Sequence, residues 1–300
     1  MDIEIAKGSG FCPGVRRAVR LALQAAEQQG RRIVTLGPLV HNPLVVEMLE
    51  ARGIRAVDGV DGDADVVIVR AHGIAAPLHE SLRRRRVEIV DATCPLVRRS
   101  QRYAETLRDE GYRVVILGDP AHAEVRAVAS YAGDGTVVVE SPEAPPGPLG
   151  PKVAILAQTT QPQEAFLRLV QTIVPKAGEV RVVNTICRST AARLAETERL
   201  ARRVQVMIVI GGRGSHNTLE LARACSRTGI ETHHVERAEE LQAPWFRNVR
   251  RVGVAAGAST PDGAIGDVVG RIKALETPSS QSHAAPGRRA GTGTAFVPPE

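Results

Sequence analysis

The sequence predicts an α/β protein of three small, pseudo-equivalent units with mainly parallel sheets, arranged about one centre. Three observations predict it. A short apolar run ending in cysteine is written three times, as IEIAKGSGFCP (3–13), VEIVDATCP (87–95) and VRVVNTIC (180–187). Each cysteine precedes a helical pattern and then a β-rich run ending in glycine. A histidine follows at a near-constant distance: Cys12 to His41, Cys94 to His122 and Cys187 to His216 span 29, 28 and 29 residues. Self-similarity at a fixed period marks a repeat architecture, and strands alternating with helical patterns imply parallel βαβ units.

Taken in order, residues 14–29 place Val15, Ala18, Val19, Leu21 and Leu23 on a broad apolar helical face, and 96–110 and 189–202 repeat the pattern more loosely. The β-rich runs are IVTLG (33–37), VVILG (114–118) and VMIVIGG (206–212). Each leads into G-x-x-x-H, at Gly37–His41, Gly118–His122 and Gly212–His216. A second strand with a polar tip follows in each third: VVIVRAHG (66–73), VAILAQTT (153–160) and VGVAAGAST (252–260). This sets His72, Thr159 and Ser259 in corresponding positions. Open parallel sheets bind ligands at the carboxyl ends of their strands, where all these polar residues fall. The units are 1–94, 95–187 and 188–276, with 141–151 a loop inside the second. Residues 277–300 turn to Ser, Pro, Gly, Thr and Ala and read as a disordered tail.

Composition narrows the function classes. With 43% hydrophobic and 24% charged residues among 300, the chain is an ordinary soluble globular protein. No apolar run approaches the roughly 20 residues of a membrane span. The start, MDIEIAKGSG, lacks a basic-then-apolar signal layout, so a cytoplasmic protein is expected. Four cysteines, far apart in a reducing compartment, do not read as structural disulfides. The net charge of +6 suits an anionic partner, nucleic acid or small molecule. Only eight aromatics are present, not interleaved with basic runs, which argues against a single-strand stacking platform. Arg83 to Arg86 read as a solvated helix face.

Zinc ribbons and common ferredoxins use close C-x-x-C pairs, which this chain lacks. Its cysteines come singly, one at each strand–cysteine–helix repeat, and a pseudo-threefold arrangement brings Cys12, Cys94 and Cys187 to one axis. Three thiolates suit an iron–sulfur cluster that keeps one iron free for a substrate oxygen. A zinc ion on three thiolates and a water is a competing reading. Three unrelated buried cysteines are another, against which their shared place in the repeat weighs. Cys225 reads as core. Around the axis stand His41, His72, His122 and His216, joined by Thr159, Ser215, Asn217 and Ser259. Such donors, without an aspartate cluster, suit an oxygen-rich anion such as a diphosphate, and strand-to-helix turns add backbone N–H groups. His79, His233 and His234 read as surface or structural, and His283 falls in the tail. Glu124, two residues after His122, is a candidate proton donor if its pKa is raised; the alternative is a first-turn glutamate favouring the helix dipole. GGRGS (211–215) resembles a phosphate loop but is neither G-x-G-x-x-G nor Walker A.

GFCPGV (10–15), GPLVHNP (37–43), VRAHGI (69–74), DATCPLV (91–97), GxxxHAE (118–124), AQTT (157–160), TIC (185–187), SHN (215–217) and AGASTPD (256–262) together resemble the 4-hydroxy-3-methylbut-2-enyl diphosphate reductase family, over about residues 1–275. The resemblance implies a trefoil of three α/β domains around a [4Fe–4S] cluster on Cys12, Cys94 and Cys187, with the allylic hydroxyl on the fourth iron. It implies two electrons from a ferredoxin or flavodoxin, a proton through Glu124, loss of water, and isopentenyl or dimethylallyl diphosphate as product. It assigns diphosphate binding to His41, His72, His122, Ser215, Asn217 and Ser259, and proton relay and hydroxyl orientation to Thr159. His216 stands where the family usually has a second serine and is counted with the binding residues. Ser189, Leu194 and Ala123 replace the usual alanine, glutamine and proline. The competing functions are a diverged paralogue for a related allylic diphosphate, a cluster-bearing redox sensor or electron carrier, and a basic nucleic-acid binder. The converging donor ring argues against the sensor or carrier; the nucleic-acid binder would need a basic stripe on one face.

Overall fold

The computed structural model describes residues 1–276 apart from 29, 60–63, 86 and 144–146. The expected tail, 277–300, therefore lies outside the described residues, as do Arg86 and residues 144–146 of the 141–151 loop. The rest of that loop forms neither helix nor strand.

Three four-stranded sheets carry the fold, and every described pairing is parallel. The strands are β1 (Asp2–Ile5), β2 (Ile33–Leu36), β3 (Arg55–Val57), β4 (Val66–Val69), β5 (Glu88–Asp91), β6 (Arg113–Leu117), β7 (Val137–Val139), β8 (Lys152–Ala157), β9 (Glu179–Val182), β10 (Val206–Ile210), β11 (Glu231–Val235) and β12 (Arg251–Ala256). Their orders are β3-β2-β4-β5, β7-β6-β8-β9 and β11-β10-β12-β1, one topology used three times. Central strands are covered on both faces, as parallel sheets require. In β10, Val206, Ile208 and Ile210 enter one apolar cluster while Met207 and Val209 enter another. None of the five is more than 1% exposed, so each contributes roughly 1.5–3 kcal/mol of burial free energy.

One boundary differs from the sequence expectation. β1 belongs to the third sheet, not the first, pairing with β12 from Asp2↔Arg251 to Ile5↔Val254. The repeat explains why. β1, β5 and β9 are the strands that precede cysteines, and each completes the sheet behind it. The helix after each cysteine packs on the next sheet. Thus α1 (Pro13–Ala26) buries Val15, Ala18, Val19 and Ala22 against Ile33, Val66 and Ile68. Likewise α4 (Pro95–Asp109) packs Ala104 and Leu107 on Val114 and Ile116, and α7 (Arg188–Ala201) packs Leu200 and Ala201 on Met207 and Val209. Each cysteine therefore sits at a hand-over between sheets, which is how three remote positions reach one centre.

Backbone hydrogen bonds also correct two registers by one residue. Gly37, Gly118 and Gly211 donate to the carbonyls of Val57, Val139 and Val235 at 2.8, 2.9 and 2.9 Å. The counterpart of Gly37 is thus Gly211, and His41 and His122 correspond to Ser215; His216 lies one residue later. The doubled glycine hides this in the sequence. Gly212 is needed because a Cβ there would stand 2.5 Å from the His41 carbonyl oxygen. Similarly, Cys12, Cys94 and Cys187 donate N–H to the carbonyls of Ala258, Ala71 and Thr159 at 3.0, 2.9 and 2.8 Å. Thr159 therefore corresponds to two alanines, and Thr160 is the counterpart of His72 and Ser259.

Candidate active site

Each of the three cysteines is the N-cap of the helix after it. Pro13 and Pro95 occupy the first helical position, where the missing N–H is no loss. Partial positive charge at a helix N-terminus favours a thiolate. The Val15 N–H donates to Cys12 Sγ at 3.4 Å. Burial raises the Cys94 thiol, and the N–H groups of Leu96 and Val97 oppose that rise. Gly14 is required between the thiols: a Cβ would lie 2.8 Å from Cys94 Sγ and 3.8 Å from Cys12 Sγ. Cys225, the remaining cysteine, is fully buried in α8 (His216–Arg227) away from this cavity.

Arg193, on α7, supplies the electrostatic counterpart. It is 4% exposed and donates to the Gly10 and Ala256 carbonyls at 2.9 and 3.4 Å. Burial lowers its pKa, and Cys12 and Cys187 are the charges that restore it. No described carboxylate pairs with it. A buried guanidinium without a carboxylate calls for another anion, and Cys12 and Cys187 are the groups whose charge acts against the fall.

The thiols open into a cavity of about 110 Å³ lined by every site residue the sequence pointed to: His41, His72, His122, Glu124, Thr159, Ser215, His216, Asn217 and Ser259. The His41 and His72 rings stack at 4.4 Å, and His122 stands 5.3 Å from each. His122 caps α5 (Ala123–Ala132), its Nδ1 accepting the Glu124 N–H at 3.1 Å, so neutral His122 carries its proton on Nε2. Burial is the main cause that pushes all four imidazoles down, His122 to about 4 and His72 well below its ordinary value; Arg70 adds to the effect on His41, His72 and His122. His41 Nε2, His72 Nδ1 and both amide atoms of Asn217 are buried without any hydrogen-bond partner. Orphaned buried polar atoms are rare in native proteins and point to an absent ligand.

His41, His72 and His122 bring one nitrogen each within 4.8 Å of one another, the spacing of a three-histidine metal site. The surroundings favour an anion instead. Arg70 repels cations, and hydroxyls and an amide complete the ring.

Glu124 and Thr159 form the one directional pair. Glu124 is 3% and Thr159 7% exposed. The Thr159 N–H donates to Glu124 Oε1 at 2.6 Å, and its Oγ1 bonds Oε2 at 2.8 Å. Burial raises the Glu124 carboxyl above its ordinary range against the pull of these two bonds. Glu124 is also the first-turn acid of α5, the position that the alternative reading gives it. Sequence reasoning gave no role to Thr160, whose Oγ1 lies 2.9 Å from His216 Nδ1, nor to Thr190, which lines the cavity. Arg193 likewise had no role there, although Cys12 and Cys187 act on it electrostatically. Thr160 adjoins Thr159 in the motif, which is a signal only once the register is known. His79 and His233 lie outside the cavity, and His234 Nε2 bonds the Gly211 carbonyl at 2.7 Å.

The fold and site define a three-sheet α/β enzyme built on convergent cysteines and a ring of anion donors. The chain belongs to the LytB family, whose model, described as LytB protein, matches residues 3–273. A relative from Geobacter sulfurreducens, named 4-hydroxy-3-methylbut-2-enyl diphosphate reductase, is 46% identical over 278 residues, 92% of this chain and 98% of that protein. A protein of the same name from Pelobacter propionicus is 43% identical over 274 residues, 91% of this chain and 98% of its own. A solved (E)-4-hydroxy-3-methyl-but-2-enyl diphosphate reductase, described as the terminal enzyme of the non-mevalonate pathway, superposes with a TM-score of 0.67 at 40% identity, covering 91% of this chain and 100% of that one. The E-1-hydroxy-2-methyl-but-2-enyl-4-diphosphate reductase from Plasmodium falciparum shares the fold, with a TM-score of 0.85 at 24% identity over 93% and 89% of the two chains. No described helix is long and apolar enough to cross a membrane.

Proposed function

We propose that this protein is a 4-hydroxy-3-methylbut-2-enyl diphosphate reductase. It removes the allylic hydroxyl of that diphosphate with two electrons and two protons, releasing water and isopentenyl or dimethylallyl diphosphate. This is the last step of the non-mevalonate isoprenoid pathway. One observation carries the reading: unpartnered buried donors of His41, His72 and Asn217 share a cavity with three helix-capping cysteines.

The donor set fits an iron–sulfur group. Three soft ligands converge without a fourth, Gly14 leaves room between two of them, and Arg193 compensates their charge. Cys12, Cys94 and Cys187 would hold a [4Fe–4S] cluster with one iron lacking a protein ligand. When bound, that group supplies electrons singly and a Lewis-acid iron for a hydroxyl oxygen.

The chain's own residues do the rest. His41, His72, His122, His216, Ser215, Asn217 and Ser259 take the diphosphate. Its charge reverses the depression of the imidazoles, since a nearby anion favours imidazolium, so binding takes up protons. Glu124 holds the proton to be delivered. The Thr159 N–H occupies Oε1, which leaves the carboxyl proton on Oε2. Thr159 Oγ1 donates to Oε2 of the ionised carboxyl; once Glu124 is protonated the hydroxyl turns, accepts the Oε2 proton and passes its own toward the leaving hydroxyl. Electrons come from a ferredoxin or flavodoxin.

The test is anaerobic turnover of the hydroxylated diphosphate with reduced methyl viologen, beside the Cys94→Ser variant. Brown wild-type protein that releases both C5 diphosphates, and a colourless, inactive variant, are expected. Zinc-loaded, colourless wild type made with iron available would refute the cluster reading.

A further inference from the structure

Behind the histidine ring stands a cation without a counter-ion. Arg70 follows β4 and starts the turn that carries His72. Its side chain is half-buried but lines no part of the cavity. Its Nε donates to the Gly73 carbonyl at 3.3 Å, one residue past His72. Its Nη1 reaches the other way, to Gly37, where an added Cβ would stand only 2.6 Å from it. Gly37 opens the turn that ends in His41, and both glycines hold positive φ, 68° and 72°. One planar fork thus lies across the two turns that set the stacked His41 and His72 rings. Those two rings are also the ones with a buried nitrogen left unpartnered.

No carboxylate forms an ion pair with Arg70 among the described residues. Exposed Asp58 attracts it, and exposed Arg126, on α5, repels it more strongly. A half-buried charge held by a carbonyl and faced by a like charge is costly until an anion completes it. The charge acts on His41, His72 and His122, which sit on three different turns, so Arg70 faces the ring as a whole.

We propose that Arg70 is a positioning residue for the diphosphate: it holds the His41 and His72 turns together and supplies a fixed positive charge behind them, without touching the ligand. The inference rests on the diphosphate reading above. Neutral imidazoles give hydrogen bonds but no net charge, whereas a guanidinium stays charged at every working pH. The ring supplies directed donors, and Arg70 supplies the charge that a polyanion needs. In the ligand-free protein that charge lowers stability, because nothing offsets it.

The experiment measures binding of inorganic diphosphate by calorimetry, near neutral pH and at low salt, on anaerobically purified protein with its cluster. Variants are Arg70→Gln, Arg70→Lys and Arg247→Gln, the last an exposed arginine outside the cavity that controls for net charge. His41→Ala, which should abolish binding, reports that the ligand sits in the ring. Arg70→Gln should weaken binding about tenfold or more, from the loss of one charge acting on several. Arg70→Lys should weaken it only about threefold, since it restores the charge without the fork. Arg247→Gln should change it less than about twofold, as a distant exposed charge is screened. The thermal midpoint without ligand separates this role from plain bracing. Arg70→Gln should keep or raise it, because an unpaired charge is removed, whereas loss of a structural brace would lower it. With reduced methyl viologen, KM for the hydroxylated diphosphate should rise in the same order while kcat stays within about threefold. The proposal is overturned by wild-type binding in Arg70→Gln, by Arg70→Lys binding no better than Arg70→Gln, by an equal effect of Arg247→Gln, by a lowered midpoint in Arg70→Gln, or by intact binding in His41→Ala. A wild type that binds diphosphate but turns nothing over strikes the reductase reading alone, and calorimetry still decides Arg70. A wild type that binds no diphosphate strikes both.

Discussion

The second sheet and its loops do something that the first and third do not. At the strand tip that receives the cysteine N–H, two units carry Ala71 and Ala258 and the second carries Thr159. At the position after the glycine turn where the second unit has Glu124, the first has Pro43 and the third Asn217. Both departures fall in one unit, and the two side chains bond each other. A threefold frame can hold a symmetric group and surround an anion, but it delivers a proton from only one direction. On the function proposed above, symmetry supplies the binding ring and the break in symmetry supplies the Glu124–Thr159 pair that would deliver the proton.

The comparison can be broken most sharply at Glu124. Glu124→Gln keeps shape and hydrogen bonding but removes the proton. Turnover should fall about 10²–10⁴-fold with substrate affinity and brown colour retained. Normal turnover would put the acid elsewhere. Thr159→Ala makes the second tip match the other two. Glu124 keeps its backbone donor and loses the hydroxyl, so kcat should drop roughly 10–100-fold with a smaller change in KM. Adding Ala71→Thr should not restore it, because Pro43 stands where an acid is needed. Recovery in that double variant would show that the unit does not matter.

The histidine ring supplies a test on stability. In the ligand-free protein the folded imidazoles are held below the ordinary value, His122 at about 4. Unfolded histidine binds a proton below about 6.5 and the folded group does not, so stability is present above that pH and is lost as pH falls toward 4. Glu124, raised, acts in the opposite sense, adding stability as pH falls through its folded value, but it is one group against four. His122 alone accounts for up to about 3 kcal/mol at full burial. Thermal midpoints measured without ligand should fall from pH 6.5 to 4.5, and less so with inorganic diphosphate. A flat profile would mean that the imidazoles are not held neutral. The smallest effect belongs to His216→Ser, which removes the bond to Thr160. Substrate affinity should weaken roughly 2–10-fold, the range of one ordinary hydrogen bond, with kcat unchanged.

Cys12, Cys94 and Cys187 were legible because each follows a strand and starts a helix, which is local chemistry. The Glu124–Thr159 pair was half legible. Each residue stood out for its type, but the carboxylate's two bonds span 35 positions. The G-x-x-x-H register misled by one residue because Gly211-Gly212 offers two starting points, and only the ladder bond to Val235 selects the first. Arg193 was not legible as a counter-ion, since Cys187 caps its own helix but Cys12 and the Gly10 carbonyl it bonds lie at the other end of the chain.

The sequence by itself determined the three strand–cysteine–helix repeats, their parallel sheets and the types of residue at their tips. Those follow from apolar periodicity, caps and turns, whose range is a few residues. Tertiary structure alone decided that β1 completes the third sheet and that Ser215 and Thr160 are the true counterparts within the ring. Each depends on which strand edge is left open and what packs beside it. Those are long-range pairings that no local pattern encodes.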